Sequence, residues 1–204
     1  MVENPGPSIA FFDFDGTITS KDTLAEIIKF AKGKLAYYSG LIILSPVLIA
    51  FKLRLLSNQK AKEIMLRFFF GGTPLSDFNS MCQEFVRIKL PAILRRQAIN
   101  EIRKHIQEHT KVVIVSASPA NWITPWCEQF NIECIATSLV VKDKKITGKI
   151  SGNNCSGKEK VRLISAKYNL SAFSKIYAYG DTRGDLPMLA LSTHKFYKPF
   201  KERF

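Results

Sequence analysis

Apolar residues follow two rhythms along this chain. Short unbroken runs, Ile9-Ala10-Phe11-Phe12, Val112-Val113-Ile114-Val115 and Ile176-Tyr177-Ala178-Tyr179, read as strands buried on both faces, the pattern of a parallel sheet. Ile132 to Ala136 reads as another strand, and His194-Lys195-Phe196 as a short last one. Between these runs the spacing changes to that of helices. Leu24, Ile27, Ile28 and Ala31 open a mostly helical stretch from Asp22 to about Leu90, with breaks at Gly33, Asn58 and Gly71-Gly72. Ile93, Leu94, Ile99, Ile102 and Ile106 line one face of a helix over Pro91 to Glu108. Further helices are expected after Ser118, with Ser118 as N-cap and Pro119 in the first turn, over Gly157 to Tyr168, where Ser156 and Glu159 match a capping box, and over Leu186 to Leu191. Leu139-Val140-Val141 and Lys145-Ile146-Thr147 flank a polar turn and suggest a hairpin.

Strands alternating with helices imply an α/β fold built on a doubly wound parallel sheet. The helical stretch after the first strand breaks that alternation and reads as an insertion. The expected division is a core of residues 1–17 and 91–204 with a small helical cap of residues 18–90. Within the cap, Leu35 to Phe51 holds no charged residue, is interrupted by Pro46 and is closed by Lys52 and Arg54. It sits at the lower limit of the about 20 residues that cross a bilayer. The expectation is a buried helical hairpin. The second reading is a helix that lies on or dips into a membrane.

Composition narrows the classes. Of 204 residues, 46% are hydrophobic, enough for a packed core, so disorder is excluded. The net charge of +13 is spread in ones and twos with no nucleic-acid motif, which argues against nucleic-acid binding. Four separated cysteines with no C-x-x-C pair argue against a zinc site and for free thiols. Residues 1–8 lack the charged-then-apolar pattern of a leader, so the expected location is cytoplasmic, with membrane association as the second reading. His105, His109 and His194 have no ligand-spaced partners and read as structural. Trp122 and Trp126, four apart on one helix face, read as core or cap contacts.

Ligands of such sheets bind beyond the carboxyl ends of the strands. Three strands end in polar residues there: Asp13 with Asp15, Ser116, and Asp181 with Asp185. Asp13 and Asp15 point the same way, and Gly16 permits a sharp turn after them. Alone, Asp13-x-Asp15 is also an ordinary aspartate-rich turn, and Asp185 an ordinary helix cap. Four carboxylates on one edge would repel unless a cation lay among them, and hard oxygen ligands suit Mg²⁺. Small residues after Ser116 let backbone N–H groups approach an anion. Lys158, at a helix start, opposes the helix dipole unless an anion lies nearby.

The order Asp13-Phe14-Asp15-Gly16-Thr17, strand-end Ser116, Lys158, then Gly180-Asp181-Thr182-Arg183-Gly184-Asp185 resembles the four motifs of the haloacid dehalogenase superfamily of phosphatases, from Phe11 to Leu191. The layout is most similar to its phosphoserine-phosphatase-like branch, with a Rossmann-like core and a helical cap after motif one. The resemblance implies Asp13 as nucleophile through an aspartyl phosphate and Asp15 as general acid and base. It implies Ser116 and Lys158 on the phosphate with Gly16, Thr17 and Ala117 shaping its seat. Mg²⁺ would be held by Asp13, the Asp15 carbonyl, Asp181 and Asp185.

The chain departs from that branch in places. Gly16 stands where the branch has serine, Asp22 where it has the glutamate that binds the substrate amine, and Ala117-Ser118 where it has Gly-Gly. Gly184 stands for its motif-four asparagine, with Arg183 beside it. The chemistry therefore carries over, and phosphoserine as substrate does not; Asp22 and Arg183 are the substrate candidates. A phosphatidylglycerophosphatase of the branch also carries a hydrophobic insertion, so the expected partner is a small phosphorylated substrate, with a lipid-like phosphomonoester and peripheral membrane contact through residues 35–56 as the second reading. A non-catalytic Mg²⁺- or phosphate-binding module, or a phosphotransferase, remain as alternatives.

Overall fold

The computed structural model describes residues 6–201, so most of the 1–8 stretch read for a leader, and the outermost residues of both core segments, lie outside it. The centre is a five-stranded parallel sheet in the order β3-β2-β1-β6-β7. Its strands are β1 (Ser8–Phe12), β2 (Lys111–Pro119), β3 (Glu133–Thr137), β6 (Lys175–Gly180) and β7 (His194–Tyr197). Alternate residues of β1 enter different cores. Ala10 and Phe12 join the cluster that includes Ala98 and Ile102 of α5 (Arg96–Gln107) and Trp122, Ile123 and Trp126 of α6 (Ala120–Glu128). Ile9 and Phe11 join the cluster with Ile164 of α7 (Lys158–Lys167) and Met188 and Leu189 of α8 (Leu186–Ala190). Both faces are thus covered, which is why the strands read as continuous apolar runs. Phe12, Tyr179 and Phe196 occupy one rung of three adjacent strands and stack at centroid distances of 4.1 and 4.6 Å.

The helical insertion follows β1, as expected. It comprises α1 (Thr23–Ile43), α2 (Ser45–Lys52), α3 (Asn58–Phe70) and α4 (Leu75–Ile88). Asp22 caps α1 by accepting from the Ala25 N–H at 3.0 Å, and Gly33, at φ +84°, kinks it where the sequence breaks. The two ends of the insertion meet: Thr19 bridges Leu94 antiparallel, Ser20 N–H donates to the Ile93 carbonyl at 2.7 Å, and Arg95 N–H to that of Ile18 at 2.8 Å.

Several local expectations are corrected. Leu35 to Phe51 is not a buried hairpin: Leu35, Tyr38, Ile42, Ile43, Ile49 and Phe51 are exposed, because only one side of α1 and α2 packs on the core. Among the described residues no single helix is long and apolar enough to cross a membrane; α1 and α2 together are, but a 63° bend separates them. Pro91 lies in a short 3₁₀ turn (Leu90–Ile93), and α5 begins only at Arg96. Ser118 does not cap α6, since β2 runs on to Pro119. The capping box at Ser156 does not form: Gly157, at φ +61°, takes the cap position, and Glu159 pairs with Arg162. The hairpin β4 (Leu139–Lys142) and β5 (Lys145–Ile150) forms as expected but docks on the insertion, where Leu75 N–H donates to the Lys144 carbonyl and Ile150 N–H to Glu63.

Candidate active site

The carboxyl ends of β1, β2 and β6 open on one cavity of about 220 Å³. It is lined by Asp13, Asp15, Ala117, Ser118, Lys160 and Asp185 from the core side and by Asp22, Asn58 and Lys62 from the insertion. Asp13, one residue past β1, is buried, and its Oδ1 accepts from Lys160 Nζ at 2.6 Å. Lys160 also donates to Asp185 Oδ1 at 2.6 Å and to the Val115 carbonyl at 2.7 Å. Burial alone would lower the Lys160 ammonium, but Asp13 and Asp185 outweigh it and hold it above its ordinary value. Burial raises the Asp13 carboxyl to about 7 even against Lys160.

Asp15 faces the insertion side. Its Oδ1 accepts from Thr23 N–H at 2.7 Å and its Oδ2 from Ser118 Oγ at 2.6 Å. Burial, then the charge of Asp22, raise its pKa from its ordinary value. Ser118 is available for this contact because β2 bulges against β3: Ser116 pairs with Ala136 and the next paired residue is Pro119, which turns Ala117 and Ser118 toward the cavity. Ser116 is wholly buried and its Oγ accepts from Ser118 N–H at 3.0 Å, so it braces this bulge rather than lining the cavity.

Gly16 is required by a close approach. At φ +83°, a Cβ there would lie 2.6 Å from Asp181 Oδ2. Its N–H is turned back to Thr19 Oγ1, and the Thr17 hydroxyl donates to Asp13 Oδ2 at 3.3 Å. Asp13, Asp181 and Asp185 are all buried and offer oxygens within 4.8 Å of one another. Asp181 Oδ2 meets Lys201 Nζ at 3.0 Å. Asp185 Oδ2 accepts from the Asp181 and Thr182 N–H groups and the Thr182 hydroxyl. Among the described residues Asp13 Oδ2 makes no ion pair, so with Asp181 it offers a hard cation few protein oxygens and room for water or phosphate, as Mg²⁺ prefers.

Lys158 is not part of this arrangement. It is exposed, and the ammonium between the carboxylates is that of Lys160. Two helical positions rotate a side chain by about 200°, so the two lysines face opposite sides of α7. Lys160 lies four residues before buried Ile164, the periodicity that marks the inward face. Arg183 is exposed and outside the cavity lining, whereas Asp22 sits on its rim. Lys62 had no signal beyond being one lysine of an amphipathic helix. Its Nζ donates to the Ala117 carbonyl at 2.8 Å and to Asn154 Oδ1 at 3.3 Å, and burial lowers its pKa.

Residues 10–190 match the model of the haloacid dehalogenase-like hydrolase family. The chain therefore belongs to that family and is a hydrolase. Among its relatives, protein CicA of Caulobacter vibrioides is 33% identical over 201 residues, covering 96% of this chain and 87% of that protein. A probable phosphatase of Mycobacterium tuberculosis is 28% identical over 195 residues, covering 91% of this chain and 66% of that longer one. In fold, the chain is similar to a Bordetella pertussis protein of unknown function, with TM-score 0.80 and 21% identity over 92% of this chain and 88% of the other. It is also similar to a phosphoserine phosphatase solved as a phospho-aspartyl intermediate analogue, with TM-score 0.62 and 19% identity over 93% and 85%.

Proposed function

We propose that this hydrolase is a Mg²⁺-dependent phosphatase acting on phosphomonoesters, with Asp13 as nucleophile and Asp15 as general acid and base. The observation that carries this reading is Asp13 itself. It directly follows the central strand, one oxygen is fixed by Lys160, and the residue lines a small cavity shared with Asp15.

The residues divide the work. An Asp13 oxygen bonds to phosphorus as the phosphorus–alkoxide bond breaks, and Asp15 gives its proton to the departing alkoxide. The raised Asp15 pKa keeps that proton available. Asp15 then takes a proton from water as the water oxygen bonds to phosphorus and the Asp13–phosphorus bond breaks, releasing phosphate. Lys160 supplies the fixed positive charge assigned to Lys158 on sequence grounds. The Ser116-braced bulge presents Ala117, and the Gly16–Thr17 turn holds Asp13 against Asp181. Bound Mg²⁺ supplies positive charge that offsets the carboxylates and polarises the phosphate. Asp13 and Asp181 would hold it, with the Asp15 carbonyl and Asp185 as further oxygens; the saturated Oδ2 of Asp185 favours contact through water. The cavity suits a phosphate with the start of its alcohol, small or amphiphilic, the remainder lying toward Asp22 and the insertion.

The test is turnover of a phosphomonoester panel including phosphoserine, sugar phosphates, nucleotides and phosphatidylglycerophosphate. Wild type should hydrolyse at least one with Mg²⁺ and lose activity on chelation. Asp13→Asn should lower turnover by roughly a thousandfold or more while melting at nearly the same temperature. No turnover by wild type across the panel would sink the reading.

A further inference from the structure

We propose that the elbow made by the second half of α1, α2 and the loop into α3 docks on the surface of an anionic lipid bilayer. Leu35, Tyr38 and Ile42 recur at helical spacing along the outer side of α1, and Ile43, Ile49, Leu53 and Leu55 carry the apolar surface around the bend. Leu35, Ile42 and Leu55 are 86, 74 and 78% exposed. The inner side of the same elbow is already satisfied, since Tyr37, Leu44 and Val47 pack on the core. The outer residues are therefore a second apolar side, and contiguous patches of that kind mark interaction surfaces where scattered single residues do not.

Charge selects the occupant. Residues 27–62 hold seven Lys or Arg (29, 32, 34, 52, 54, 60 and 62) and no Asp or Glu. Lys32, Lys34, Lys52, Arg54 and Lys60 are exposed and flank the apolar residues on both sides in sequence. A second copy of this chain would set these cations against themselves. An anionic bilayer accepts both features: aliphatic side chains enter among the headgroups while the long basic side chains stay at the level of the lipid phosphates. Because Tyr37, Leu44 and Val47 tie the inner side of this bent pair to the protein core, the pair lies on the bilayer rather than through it. Leu55 is three residues before Asn58 of the cavity lining, at most about 11 Å of chain, so docking keeps one edge of the cavity lining near the bilayer surface.

The test sediments the full chain with phosphatidylcholine vesicles, with and without phosphatidylglycerol. Wild type should bind the anionic vesicles and be released by high salt. Two double variants, Leu35→Asp with Ile42→Asp and Lys52→Glu with Arg54→Glu, should each weaken binding by roughly tenfold or more. Both should keep the wild-type melting temperature and the wild-type turnover of a soluble phosphomonoester. Wild type left in the supernatant, or binding unchanged in both variants, overturns the proposal. So does sedimentation velocity showing a wild-type dimer that the Leu35→Asp, Ile42→Asp pair converts to monomer without any vesicle binding, since the face would then belong to a second copy. Because docking is read without turnover, vesicle binding by an inactive protein would overturn the proposed function and leave docking standing.

Discussion

Lys160 holds its ammonium between two buried carboxylates, so removing it strands both. Lys160→Met should cost about 3 kcal/mol of unfolding free energy, measured by urea titration in a metal chelator, and lower turnover by about a hundredfold. Lys158→Gln should stay within roughly twofold of wild type in both measurements, because an exposed lysine contributes little. Equal losses from the two variants would reverse the assignment. The contrast also marks what the sequence made legible at this scale. Asp13, Asp15, Asp181 and Asp185 are readable because each lies within five residues of a strand end, and strand ends follow from apolar runs. The lysine is not, because motif order alone does not separate Lys158 from Lys160; only their helix faces do, Lys160 sharing that of buried Ile164. Ser118 hid behind a different competition: its hydroxyl suits a cap, yet the bulge in β2 gives it to Asp15.

Among the elements, α3 joins the insertion to the site. Gln59 exchanges hydrogen bonds with the core loop, donating to the Gly152 carbonyl at 3.1 Å and accepting from Asn154 N–H at 3.0 Å. Lys62 reaches past this latch to Ala117. Lys62→Met should raise KM about tenfold with a smaller change in kcat, and Lys62→Arg should recover part of the loss; steady-state kinetics separate this from a purely structural role, in which only the melting temperature falls. Nothing in sequence pattern identifies Lys62, since contacts between an insertion and a distant loop leave no periodic trace. The β4–β5 hairpin shows the same limit. Its strands and turn are legible, but its docking against Gly72 and Leu75 rests on main-chain hydrogen bonds that any residue could make. The elbow of α1 and α2 departs from expectation for a simpler reason: apolar composition predicts burial, and here the outer apolar side chains from Leu35 to Leu55 are left exposed.

Taken as a whole, the molecule has two cores on one sheet, and His105 belongs to the one that carries the aromatic rung. Its Nε2 lies 2.8 Å from the Tyr179 hydroxyl, which donates to Glu101 at 3.0 Å, so the neutral ring donates from Nε2 and leaves Nδ1 buried with no partner among the described residues. Burial lowers its pKa below the ordinary 6.5 despite Glu101 and Glu108. The unfolded chain therefore takes up a proton that the folded one refuses, and stability from this residue is present above about pH 6.5 and lost as the pH falls below it. His105→Gln, which keeps a donor, should flatten the loss of stability between about pH 7 and 5 relative to wild type. Parallel stability–pH curves for the two proteins would rule out this contribution. At this scale most of the sheet and the place of the insertion were legible, because buried parallel strands and amphipathic helices differ in period; the depth at which each helix packs was not.

The paired ends of the insertion have a consequence for how such a protein can change. Ile18 and Arg95 leave and re-enter the core one hydrogen bond apart, although 76 residues separate them. The core thus experiences almost the same boundary whether the excursion is long, short, oily or charged, and the closure cost grows only slowly with its length. With the roles proposed for the insertion, substrate preference and bilayer docking can drift in one part of the chain while the carboxylates near the strand ends keep their positions in the other.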